Sequence, residues 1–111
     1  MVAEGKTINK MDVNNNALFC PLSDGNAAGI GVPLYSWGMV DSDEKVQDGD
    51  IALVELDGIR LVVYVDFMPN RTMCIRYKDD KRGHGLIAKE GDPLNIVGKV
   101  VGFCRGVRIT Y

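Results

Sequence analysis

Two apolar runs joined by Asp57-Gly58 restrict this chain more than any other feature of it. A two-residue hairpin turn needs φ > 0 at both positions, which Asp and Gly tolerate, and its twist matches that of paired strands. Ile51–Leu56 and Ile59–Phe67 are thereby set as a β-hairpin. Within the second run, Leu61-Val62-Val63-Tyr64-Val65 is apolar on both faces. Such a strand belongs in the interior of a sheet covered from both sides.

The remaining punctuation extends the same pattern. Met68-Pro69-Asn70 turns the chain into a strand over Thr72–Tyr77, and the charged turn 78–85 leads to a short strand at Leu86–Ala88. Glu90-Gly91-Asp92-Pro93 turns again before a long strand, Ile96–Cys104. Upstream, Ala17–Leu22 reads as a first strand and Ser23–Gly31 as turn material rich in Gly, Asn and Asp. Val32–Trp37 is a short extended piece that Pro33 keeps from the middle of a sheet, and Asp41–Asp50 is an acidic loop. Val107, Ile109 and Tyr111 alternate with Arg108 and Thr110, giving one apolar face at period two. No segment has helical periodicity and no repeat is present, so the expected fold is mostly or wholly β, of twisted antiparallel strands. Residues 1–16 read as a polar arm or linker whose Ile8, Met11 and Val13 could dock on a neighbour, and residues 17–111 as the domain.

A chain of 111 residues supports one domain with one modest core. Lys and Arg number 13 against 15 Asp and Glu, for a formal charge of -2. A domain that grips nucleic acid alone carries a basic excess to displace counterions from phosphates, so autonomous DNA binding is excluded from the reading. No apolar run approaches the ~20 residues needed to span a bilayer, and residues 1–16 lack the apolar centre of a signal peptide. Three cysteines (Cys20, Cys74, Cys104) without CxxC spacing point to free thiols in a reducing cytoplasm.

Asp48-Gly49-Asp50-Ile51-Ala52-Leu53-Val54-Glu55 and Asn95-Ile96-Val97-Gly98-Lys99-Val100-Val101-Gly102 bracket this pattern. With the strand at Ala17–Leu22, the turn Asp24-Gly25-Asn26-Ala27 and the run Thr72-Met73-Cys74-Ile75-Arg76-Tyr77, they resemble, in order, the C-terminal domain of the LexA, UmuD and temperate-phage CI repressor family. The resemblance covers roughly Ala17 to the C-terminus. It implies a β-clip type of domain, self-cleaving in active members through a serine activated by a desolvated, neutral lysine.

On this alignment the serine position is Ala27 and the lysine position is Ile75. Alanine has no nucleophile, and the adjacent Arg76 stays protonated and cannot act as a base. Loss of either member removes most of such a pair's activity. The resemblance implies that Ala27 and Ile75 still face each other, within about 8 Å between their β-carbons, as a vestigial site. Ala28-Gly29 has the small-Gly dipeptide that the family cleaves, here set against the degenerate turn. A second alignment matches Val32-Pro33-Leu34-Tyr35-Ser36-Trp37 to the run before a phage-repressor cleavage site, with the scissile pair near Val40-Asp41. It leaves Asp41-Ser42 as a compressed serine turn and Ser42 as the rival nucleophile.

Outside that frame the chain offers little chemistry. His84 sits alone in a Gly-flanked turn, and the acidic residues Asp41, Asp43, Glu44, Asp48 and Asp50 miss the EF-hand spacing, so neither metal nor cofactor is expected. Lys78, Lys81, Arg82 and Lys89 alternate with Asp79, Asp80 and Glu90 as a charged turn. Phosphate-loop and dinucleotide fingerprints are absent. Trp37, Met39, Met68, Phe103, Val107, Ile109 and Tyr111 are apolar where a small β domain could leave them exposed, and they are the candidates for self-association.

The expected function is that of a non-cleaving oligomerisation domain of a temperate-phage transcriptional repressor in the bacterial cytoplasm. It would form a homo-oligomer, reach operator DNA through an upstream helix-turn-helix domain, and be released by an antirepressor protein. Two alternatives stand beside it. One is an active self-cleaving peptidase using Ser42 with Lys45 or Lys99; the other is an unrelated small β-barrel that binds a ligand or a protein.

Overall fold

A computed structural model describes residues 17–105. The elements run β1 (Ala17–Pro21), α1 (Asp24–Ile30), β2 (Ser36–Asp41), β3 (Ile51–Leu56), β4 (Ile59–Met68), β5 (Thr72–Arg76), β6 (Leu86–Ala88) and β7 (Leu94–Arg105). The strands form one seven-stranded antiparallel sheet in the order β1-β2-β7-β3-β4-β5-β6. The mostly β expectation holds. β1 and β6 are the two edges of an open sheet, so the described residues do not form the closed barrel of the third reading.

The hairpin folds as its turn dictates: Asp57 at φ 52 and Gly58 at φ 85 close β3 onto β4, pairing Leu56 with Ile59 and Ile51 with Tyr64. β4 lies inside the sheet between β3 and β5, as its two-sided apolar run requires, and each face buries a core. On one face, the helix face, Leu53, Val62, Val40 and Val100 pack with Leu22, Ala27 and Ile30. On the far face Ala52, Val54, Val63, Val65, Ile75, Ala88 and Leu94 pack with Val46 from the β2–β3 loop.

The segment read as turn material, Ser23–Gly31, contains the helix α1, a correction to the expectation of no helix there. Capping decides it. Ser23 Oγ accepts the Asn26 N–H at 3.1 Å, filling one orphan donor of the first turn. At the other end Gly31 adopts φ 80, its N–H donating to Ala28 and the Val32 N–H to Ala27, a Schellman closure. Ala27 and Ile30, three residues apart, are the buried face. Two turns are too short for periodicity to register, and two internal glycines lower the propensity further.

The second correction is of boundaries. The extended piece expected at Val32–Trp37 is mostly connection, and β2 begins at Ser36 and runs through Asp41, into the expected acidic loop. Pro33 has no N–H for a ladder, and Tyr35 at φ 66 turns the chain. The buried Ser36 Oγ then donates to the Pro33 carbonyl at 2.6 Å. β7 is longer than expected at both ends and carries irregularities at Val97 and Val101, opposite the Leu53/Val54 and Met39/Val40 steps. Each extra residue bends the strand and steps its neighbours across the faces.

Candidate functional site: an open apolar wing and two clamped loops

The structure does not bring Ala27 and Ile75 together. Ala27 is fully buried under α1 in the helix-face core. Ile75 pairs with Val65, which shares the far face with Val63 and Ala52. The sheet therefore stands between the two side chains. A turn that becomes a helix seated on the opposite face removes the geometry that the first alignment implies.

Ala28-Gly29 lies in the last turn of α1, with the Ala28 carbonyl accepting the Gly31 N–H at 3.2 Å. The Gly29 carbonyl accepts the Lys78 N–H at 2.6 Å, which ties the helix to the chain leaving β5. A β-carbon on Gly29 would collide with the Tyr77 ring, so only glycine permits this approach. Ser42 is exposed in the turn after β2. The two lysines of the peptidase alternative differ: Lys45 is exposed, whereas Lys99 Nζ lies 3.5 Å from Asp50 Oδ2.

The expected self-association residues scatter. Met68 is at the end of β4, half-buried, with its methyl against Gly83. Val107, Ile109 and Tyr111 lie outside the described residues. Trp37 and Phe103 both fall on the wing formed by β1, β2 and the end of β7, but on opposite faces. Trp37 pairs with Pro21 and Cys104, whereas Phe103 pairs with Gly38, which in turn faces Cys20.

On the far face of that wing, sequence reasoning missed a neighbour. Phe19 pairs with Met39, and Met39 with Gly102, so Phe19, Met39 and Trp37 form one apolar row. Phe19 is 41% and Trp37 37% exposed, and none of the three belongs to either core. Met39 between them is half-buried. The helix-face side of the wing is similarly apolar, with Leu18, Phe103 and the half-buried Cys20. The alternation of Leu18 and Phe19 along β1 would have revealed a strand apolar on both faces.

The opposite half of the sheet is tied by a set of ion pairs and hydrogen bonds. Asp66, with no solvent exposure, accepts Arg76 Nε at 2.6 Å and Nη2 at 3.1 Å, and the Gly83 N–H at 3.0 Å. Burial pushes its carboxyl up, but the Arg76 hydrogen bonds, the Gly83 N–H and the Arg76 and Arg82 charges outweigh it and hold the group below the ordinary carboxylate range. Arg76 also lies over the Tyr64 ring, 5.0 Å from its centroid. Arg82 reaches Asp48 at 2.7 Å, and Asp48 accepts the Phe67 N–H at 2.8 Å; these bonds lower the Asp48 carboxyl too. The β2–β3 and β5–β6 loops are thus both clamped onto β4.

Between α1 and the β3–β4 hairpin runs a groove of about 450 Å³, floored by Leu53 and Val62 and flanked by Pro21, Arg60 and Tyr77. Arg60 forms no ion pair among the described residues, and its charge lies close enough to offset part of the burial that raises the Cys20 thiol. Cys20, Cys74 and Cys104 are all free, and no cluster of metal-ligating side chains occurs among the described residues. No described helix is long and apolar enough to cross a membrane.

No family model and no curated protein matches the chain.

Proposed function

We propose that residues 17–111 form the oligomerisation module of a non-cleaving transcriptional repressor of the LexA, UmuD and phage CI kind, acting in the bacterial cytoplasm. The supporting observation is the open row of Phe19, Trp37 and Met39 on the wing. An apolar sheet face is stable in water when a second layer covers it, and a second copy of the chain carries the matching surface. Joining two weak DNA-binding heads makes the second contact intramolecular and raises affinity by roughly a hundredfold or more. Those heads would be helix-turn-helix domains upstream, consistent with a net charge of -2 on this chain. In this reading Ala27 serves as core and Ser42 as a solvated turn residue, and an antirepressor protein supplies release in place of cleavage.

Sedimentation velocity on the full chain tests this. Association in the micromolar range is expected, weakened roughly tenfold or more by Trp37→Lys, with far-UV circular dichroism unchanged. A strict monomer at high micromolar concentration overturns the reading. The groove beside Arg60 favours a second reading, a binding module for an acidic peptide. Titration calorimetry with a panel of short acidic peptides, on wild type and Arg60→Ala, separates the two.

A further inference from the structure

The free edge of β1 has a hydrogen-bond pattern that can be read residue by residue. The Leu22 N–H donates to the Ser36 carbonyl at 3.0 Å, one step beyond the pair Pro21↔Trp37. In an antiparallel ladder successive residues turn their backbone groups alternately to the two sides. Cys20 and Leu18 therefore point theirs at β2, while Ala17, Phe19 and Pro21 point outward. Pro21 has no N–H, so the outward edge offers donors from Ala17 and Phe19, and acceptors from Ala17, Phe19 and Pro21. Among the described residues no strand takes them up, since β1 ends the sheet.

We propose that this edge pairs with the same edge of a second copy of the chain, antiparallel and centred on Phe19. This rests on the self-association reading above and adds the surface and the register. With Phe19 opposite the partner's Phe19, the two exchange both of their backbone bonds. Ala17 then lies opposite the partner's Pro21 and donates to its carbonyl, and symmetry repeats that bond. Every outward donor of the five-residue strand is satisfied, and the missing proline donor falls where the partner asks only for an acceptor. A proline that defends an edge against general strand addition thus leaves this one symmetric register intact.

The side chains agree with the ladder. The two Phe19 rings become a cross-strand aromatic pair on the far face, extending the Phe19–Met39 row across the axis. On the helix face, Leu18 lies opposite Cys20 of the partner subunit as a non-hydrogen-bonded pair. The α-carbons of such a pair are about 4.5 Å apart, within disulfide range.

That last spacing supplies the test. Leu18→Cys, oxidised with diamide, is expected to give a covalent dimer whose peptide map joins position 18 to the partner's Cys20. The reaction is run at alkaline pH because burial raises the Cys20 thiol. Leu18→Cys combined with Cys20→Ala is expected to give no such dimer. Phe19→Pro keeps every bond to β2 yet deletes the central outward donor, whereas Phe19→Ala deletes only the ring. Phe19→Pro should weaken association roughly tenfold or more beyond Phe19→Ala, for two symmetric bonds lost, with circular dichroism unchanged. A dimer by sedimentation whose cross-links map elsewhere, or that treats the two Phe19 variants alike, overturns the pairing and leaves self-association standing. A strict monomer removes both.

Discussion

Replacing Asp66 by asparagine exchanges one carboxylate oxygen for an amide nitrogen at a position without solvent contact. The wild-type carboxylate accepts two bonds from Arg76 and one from the Gly83 N–H. Asparagine retains one acceptor and points its amide hydrogens at donors, so at least one charge-assisted bond becomes a repulsion. A hydrogen bond to a charged group contributes about 1.5–3 kcal/mol, and breaking a buried ion pair from one side costs about 3–5 kcal/mol. Arg76 is 15% exposed and keeps the Tyr64 ring beneath it, which places the loss at the lower end. About 3 kcal/mol is expected, or a melting temperature lower by roughly 12–24 °C.

Urea denaturation followed by tryptophan fluorescence measures the loss, with the midpoint falling and the slope unchanged. The pH dependence adds an independent check. The folded-state carboxyl of Asp66 lies below its ordinary value, so its contribution is complete above the unfolded-state pKa of about 3.9. That contribution is lost as pH falls through the folded value. The gap between wild type and Asp66→Asn should therefore be full near neutral pH and narrow in strong acid. A neutral-pH difference below about 0.5 kcal/mol, or a gap constant into strong acid, refutes the account of this buried pair.

Three further outcomes follow from local geometry. Ser23→Ala should cost about 1 kcal/mol by leaving the Asn26 N–H without its cap, read as a shifted urea midpoint. Gly29→Ala should destabilise the wild type, because the new methyl displaces the Tyr77 ring. In a Tyr77→Ala background it should stabilise by about 1 kcal/mol, the helix propensity gained once the obstacle is gone; equal signs in both backgrounds refute the contact. Prolonged incubation at alkaline pH, where lysine amines deprotonate, should leave the chain at full mass; fragments that disappear with Ser42→Ala would establish the peptidase alternative.

Local chemistry made much of the sheet legible. Asp57-Gly58 fixed a hairpin because its dihedral demands are met by few residue pairs, and β3 and β6 occupy the ranges their apolar runs and flanking turns indicate. The two-sided apolar run of β4 announced an interior strand for a similar reason: only a position with cover on both faces rewards it. Ser23 and Gly31 held the signal for α1 as well, but two turns containing glycine present no periodic stripe. That helix exists because Ala27 and Ile30 have a sheet to pack on.

What the sequence could not decide is which side of the sheet a residue faces after each bulge, and that depends on long-range register. Val101 shifts the alternation of β7 against β2 by one, so Trp37 and Phe103, alike in sequence terms, emerge on opposite faces of the wing. The same dependence separates Ala27 from Ile75, whose supposed proximity rested on the order of elements alone. By itself the sequence determined strands and turns, which are properties of neighbouring residues. The tertiary structure alone decided that, among the described residues, β1 is an edge and Phe19 and Trp37 are exposed beside it, because strand order and cover are properties of the whole sheet.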